Sequence, residues 1–200
     1  MPATLPSTSV RDRLLAVAIE LFATRGYQAV SLRDLAGELG LRPGSLYGHI
    51  ESKQSLLFEL VEDALVDLLH ATRQRLRTAR DNREGLYRFI QTFVDFNLAN
   101  QHSLQLILRE SVNLTDEQRS EIALIRTTYA NLLRATVPQG GLITSQNIDL
   151  LVEAITGLLF AHTFWKHIEM SKKQMTDNLA NLALGMITAV GPNKTAQIFR

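Results

Sequence analysis

Apolar residues recur every three and four positions along almost the whole chain, the period of helices that bury one face. No stretch alternates with the two-residue rhythm of a strand flanked by turns. Leu14, Leu15, Ala18, Leu21 and Phe22 form a first stripe over residues 13–25, ending at Gly26. Two short helices follow over 31–50, then a long one from about Lys53 to Arg80 led by Leu56, Leu57, Leu60 and Val61. Ser52 is its expected N-cap. After a break at 81–84, with Asn82 as a possible cap, Leu86, Phe89, Ile90, Phe93, Val94 and Phe96 begin a strongly apolar helix. Residues 100–103 read as another break before a short helix ending near Asn113. Thr115 and Gln118 have capping-box spacing for a helix reaching about Thr136. VPQGG reads as a loop. Thr144 or Ser145 caps a helix over about 146–169, and Ser171 caps one over about 172–190. The pattern predicts an all-α fold of about nine helices.

Residues 31–50, SLRDLAGELGLRPGSLYGHI, carry the chemistry. Leu32, Leu35, Ala36 and Leu39 share one helical face. Gly40 is placed to end that helix, because glycine enters the left-handed region without steric cost. Pro43 is placed to start the next, since a first-turn proline loses no hydrogen bond. Leu46 and Ile50 return the second helix onto the first, and small Ala36 permits a close crossing. That is a helix-turn-helix layout, whose second helix enters a DNA major groove. An ordinary corner between two core helices has the same outline. The flanks favour the former: a support helix precedes the pair and a connecting helix follows it.

The stretch from Ala18 to Leu57, AIELFATRGYQAVSLRDLAGELGLRPGSLYGHIESKQSLL, resembles the TetR family of transcriptional regulators. Its F-x-x-x-G-Y, L-A-x-x-L-G-L, S-L-Y-x-H-I and S-K-x-x-L-L segments are specific in combination. The motif likeness covers about the first 60 residues; beyond it only length and helical character agree. The resemblance implies a DNA-binding domain over 9–55 and an all-helical effector-binding and dimerisation domain over 56–192. It implies a regulator, usually a repressor, that binds a palindromic operator as a homodimer and is released by a small hydrophobic effector. It also implies DNA contacts at the positions of Ser31, Arg33, Ser45, Tyr47, His49 and Lys53. The family often has larger side chains where Gly44 and Gly48 stand, which shifts more of the sequence choice to Arg33, Arg42 and DNA shape.

Composition removes other readings. The 46% hydrophobic content supports a sizeable core. With 21 basic and 20 acidic side chains there is no global positive field, so DNA binding rests on a local patch. The absence of cysteine excludes disulfides, thiolate metal sites and thiol nucleophiles. No apolar run reaches the roughly 18 residues of a membrane span. LLVEAITGLLFAHTFW comes nearest and is interrupted by Glu153. The N-terminal residues lack a secretory pattern and read as disordered over the first eight, so a cytoplasmic protein is expected. There is no G-x-S-x-G, phosphate loop or H-E-x-x-H, and His162 and His167 are spaced five apart. Neither an enzyme nor a cofactor is expected.

Geometry supplies the remaining candidates. If Leu46 and Ile50 face inward, Gly44, Ser45, Tyr47, Gly48 and His49 lie on or near the outward face. Arg42 and Pro43 stand beside a helix start whose free N–H groups suit phosphate. Lys53 opposes its helix dipole where it stands, which makes more sense facing phosphate. For dimerisation, Leu151, Ala154, Leu158 and Ala161 on one C-terminal helix and Leu182 and Met186 on the other extend apolar character beyond a single face. For an effector cavity the candidates are Phe89, Phe93, Phe96, Ile107, Tyr129, Phe160 and Trp165, with His102, Arg109 and His162 as polar groups. The same residues suit a plain core. The rival reading is an all-helical ligand-binding or adaptor protein that has the motif without DNA affinity.

Overall fold

The computed structural model describes residues 9–138, 144–163 and 169–190. They form α1 (Val10–Arg25), α2 (Leu32–Leu39), α3 (Pro43–Leu46), α4 (Lys53–Leu76), α5 (Asn82–Ala99), α6 (Gln101–Glu110), α7 (Asp116–Arg134), α8 (Ser145–His162) and α9 (Lys172–Val190). A 3-10 turn at Ser111–Asn113 links α6 to α7. No strand occurs among the described residues, so the expected all-α fold of nine helices is met there.

Side chains that satisfy free N–H groups start most of these helices. Reciprocal capping boxes sit at Ser9 with Asp12, Ser31 with Asp34, Ser52 with Ser55 and Thr115 with Gln118. Thr144 caps α8, and Ser171 exchanges hydrogen bonds with Gln174 at the start of α9. Four local expectations are corrected. Asp81, not Asn82, caps α5: its carboxylate accepts the Glu84 N–H at 2.8 Å, and an ionised acceptor at a helix N-terminus is favoured by the dipole. The break at 100–103 shrinks to Asn100, which ends α5 and begins α6, because Leu104, Leu106 and Ile107 bury themselves immediately after it. The long helix stops at Leu76 rather than Arg80, where the apolar pattern gives way to exposed arginines. The helix expected to reach about 169 ends at His162, with Thr163 as its C-cap, and α9 reaches Val190 as expected. The expected disorder of residues 1–8 lies outside the described residues, as do residues 164–168.

α4 is the spine. It packs against α1 at its N-terminal end and against α5, α6 and α7 along the body. Leu56, Leu57, Leu60, Val61, Leu65 and Leu68 bury its inner face. Below them Phe22, Leu35, Ala36, Leu46 and Ile50 make the core of the N-terminal head, with Tyr27 edge-on to Phe22 at 5.3 Å. Above them Phe89, Ile90, Phe93, Leu104 and Ile107 fill the body. α9 closes the body against α5 and α8.

Candidate functional site

The turn between α2 and α3 is built by one glycine. Gly40 takes φ 68°, and its N–H and that of Leu41 return to the Ala36 carbonyl, closing the last turn of α2. α3 then starts at Pro43 and is shorter than expected: regular helix ends at Leu46 and a turn carries the chain to Ile50. The inward register survives, because the Ile50 N–H still bonds the Leu46 carbonyl at 3.0 Å and both side chains are buried. Arg42, Pro43, Gly44, Ser45, Tyr47 and Gly48 are exposed and His49 half-buried. Tyr47, an aromatic, is 62% exposed.

Arg33 projects from the first turn of α2, exposed, its charge felt by the neighbouring Asp34. Ser31 is committed to its cap: its hydroxyl accepts the Asp34 N–H and donates to the Asp34 carboxylate at 2.6 Å. Those bonds hold the Asp34 carboxyl below its usual range. Lys53 departs from its expected outward pose. Its ammonium lies 4.0 Å from the Tyr27 ring centroid and donates to the Tyr27 carbonyl, and burial lowers its pKa against the pull of Glu110 and Asp34. The poor dipole position is thus offset by contacts inside the head.

A polar seam joins head to body. Gln54 donates to the Asn113 carbonyl at 2.9 Å and to Gln118 Oε1 at 2.8 Å, and accepts from the Tyr27 hydroxyl at 3.0 Å. Gln28 donates to Asn113 Oδ1, and Arg109 to the Ala23 carbonyl. Sequence reading missed Gln54, because its partners lie 27 to 64 residues away.

Within the body, a cleft of about 610 Å³ opens between α7 and α8, floored by Leu65 of α4 and Leu108 of α6. Tyr129, Ala130, Val152, Gly157 and Phe160 line it, and Arg126 and Glu153 stand exposed at it. The expected cavity residues fall into several places. Tyr129 and Phe160 of that set line this cleft. Phe89, Phe93 and Ile107 are fully buried core, since α4 and α9 cover α5 while α1 and α4 cover α6. Phe96 lines a separate shallow cleft between α4 and α5, Arg109 belongs to the seam, and His102 is half-buried on α6. Trp165 and the His162 side chain lie outside the described residues.

The profile of the bacterial regulatory proteins of the tetR family matches residues 14–60, and that of the tetracyclin repressor-like C-terminal domain matches residues 79–187, more than half the chain. The chain belongs to the TetR family. It is a DNA-binding transcriptional regulator, as its relatives are. It is 28% identical over 161 residues to the transcriptional repressor KstR2 of Rhodococcus jostii, covering 78% of each. It is 33% identical over 114 residues to the transcriptional activator FasR of Mycolicibacterium smegmatis, spanning 57% of this chain but only about half, 52%, of that protein. A tetR-family regulatory protein from Rhodococcus RHA1 superposes with a TM-score of 0.82 at 26% identity, covering 90% of this chain and 98% of that one. The fold is shared with AibR, solved with isovaleryl coenzyme A and operator DNA, at a TM-score of 0.76 and 21% identity over 86% and 96% of the two chains.

This TetR-family chain presents its last two helices with an open apolar side. On α8, Leu150, Ala154 and Ala161 are exposed and Leu158 half-buried, at helical spacing. On α9, Leu182 is 53% exposed and Met186 half-buried, beside Gly185. Leu151 is the correction here: at 2% exposure it belongs to the core with Ile155 and Leu159, and Leu150 stands outside in its place. No helix among the described residues is long and apolar enough to cross a membrane.

Proposed function

We propose that this regulator reads a palindromic operator as a homodimer and is released from it by a small, largely apolar effector. The reading head spans residues 9–55 and the effector-binding and dimerising body residues 56–192. The observation that carries the reading is that Arg33 at the start of α2, and Arg42, Ser45 and Tyr47 around α3, stand exposed while Leu46 and Ile50 are buried. Arg33 and Arg42 suit phosphate or guanine, Tyr47 a phosphate oxygen or thymine methyl, and Ser45 and His49 base edges. Pro43 sets the helix start, and Gly44 and Gly48 let the backbone approach the groove. Ser31 and Lys53 stand at the margin of this surface. Ser31 holds a phosphate only by sharing its cap hydroxyl, and Lys53 only by leaving Tyr27.

One such head buries too little surface for tight specific binding, which two copies on a twofold axis remedy. The open side of α8 and α9, through Ala154, Leu158, Ala161, Leu182 and Met186, is the surface for that pairing; Gly185 and the alanines permit close helix approach. The cleft beside Tyr129 and Phe160 has the size and apolar walls of a small-molecule site. AibR, which shares the fold, was solved with an acyl thioester, which makes a thioester-type effector a reasonable first ligand to test. The protein acts in the cytoplasm, where DNA and such metabolites meet, and without catalysis.

Selection of bound fragments from random duplex DNA tests the reading. An enriched inverted repeat with half-sites about one helical turn or a multiple apart supports it. No enrichment over competitor at moderate salt overturns it in favour of a ligand-binding or adaptor protein.

A further inference from the structure

The chain's basic charge is concentrated far from the reading head. Residues 73–88, RQRLRTARDNREGLYR, hold six arginines and two acids, whereas residues 9–55 hold six basic and five acidic side chains. α4 separates the two regions by 24 residues, roughly 36 Å at the helical rise, so a duplex seated on the head does not reach them. Arg75 and Arg88 of this cluster are paired, with Asp95 and Glu84. Among the described residues Arg73 and Arg77 make no ion pair or side-chain hydrogen bond. Beside Arg80 stands Glu84, whose carboxylate accepts from Arg88 and from the Arg80 N–H.

Arg73 stands on the last turn of α4, Arg77 at its C-cap and Arg80 in the segment before α5, so three positive charges meet at one corner. The dipole of α4 favours cations in its last turn. It does not account for the cleft of about 450 Å³ that these three arginines line. The apolar lining of that cleft is Leu76, Ala79, Leu132 and Ala135. Gly85 shapes it: a β-carbon there meets Thr136 Cγ2 at 3.2 Å, so glycine lets α5 sit close against the end of α7. Asp81 also lines it, with one oxygen engaged in its cap.

We propose that this corner is a second ligand site, for a nucleoside diphosphate or a larger molecule carrying that group. Guanidinium forks match phosphate oxygens in pairs, and two adjacent phosphates supply the negative charge that three arginines lining one cleft lack. The apolar floor accepts a flat base. The site is concave and of small-ligand size, which suits neither a duplex nor a membrane surface. It is separate from the cleft beside Tyr129 and does not depend on the operator reading.

Calorimetric titration of the full chain at low salt tests this with ADP, inorganic pyrophosphate and adenosine. Saturable binding of one ADP per chain is expected, with pyrophosphate weaker and adenosine silent. Arg73→Gln and Arg77→Gln, both at exposed positions and checked for unchanged melting, should each weaken ADP by about tenfold, the loss of one charge-assisted contact. Arg33→Gln on the head should leave ADP binding unchanged. No saturable heat with ADP overturns the proposal, as does equal weakening by Arg33→Gln. If the corner variants instead weaken duplex binding while ADP does not bind, the cluster is a nucleic-acid contact and the proposal fails.

Discussion

Gly40 holds a backbone conformation that side-chain-bearing residues rarely adopt, with φ at 68° and open space where a β-carbon would stand. The cost of replacing it is therefore conformational rather than a clash. Gly40→Val should destabilise the head by about 1–3 kcal/mol in urea unfolding, because a β-branched residue resists the left-handed region. Arg33→Ala and Tyr47→Phe belong to the other class. Both side chains are exposed and Tyr47 has no packing role to lose, so melting should hold within a degree or two. Operator affinity should fall by about 1–3 kcal/mol if Arg33 makes a base contact, measured by gel shift. These residues were legible because glycine, proline and the i,i+4 apolar pair are local signals. The inward turn of Lys53 was not, since its partner Tyr27 sits 26 residues earlier on a different element.

The helices themselves follow from periodicity and caps, and the capping box of α2 links one element to pH. Asp34 accepts both the N–H and the hydroxyl of Ser31, at 2.7 and 2.6 Å, and these bonds depress its pKa. A carboxylate with a depressed folded pKa contributes stability that is present above its unfolded value, ordinarily 3.8, and is lost as pH falls through the lower folded value. Asp34→Ala should lower the melting temperature at neutral pH, and the gap from the parent chain should close as pH drops below 3.8. A gap that stays constant with pH would remove the carboxylate from the box. At this scale sequence reading failed where two features competed. Asp81 and Asn82 are both good caps, and burial of Leu104 decided that one residue, Asn100, suffices between α5 and α6. The clefts were illegible for a different reason. Phe89 and Phe93 have the same apolar character as Phe160, and only the packing of α4 and α9 over α5 sorts core from lining.

Across the whole molecule, the proposed regulation has the body change the separation of two heads, and α4 with its Gln54 seam is the material link. Gln54 spends both amide hydrogens on the α6–α7 corner and its oxygen on the Tyr27 hydroxyl, so a shift of that corner is felt by the head through fixed bonds. A ligand can bias the heads only by its difference in affinity between the bound and released forms. Gln54→Ala should therefore leave operator binding within severalfold of the parent while shrinking the effector's influence on it, seen as a smaller shift in operator affinity at saturating effector. The pairing of heads is a separate requirement with its own test. Leu182, more than half exposed on a helix that buries Leu179, Ala180, Ala183 and Ile187, is costly to leave in water and harmless to charge if the chain acts alone. Leu182→Arg should yield monomers in sedimentation, because two arginines brought together across a twofold axis repel and stay unpaired. The same variant should lose most operator affinity without losing helical content, since its side chain supports no core contact. A dimer that survives the substitution would place the pairing surface elsewhere, and the spacing of the heads would then have to be set by a different face of the body.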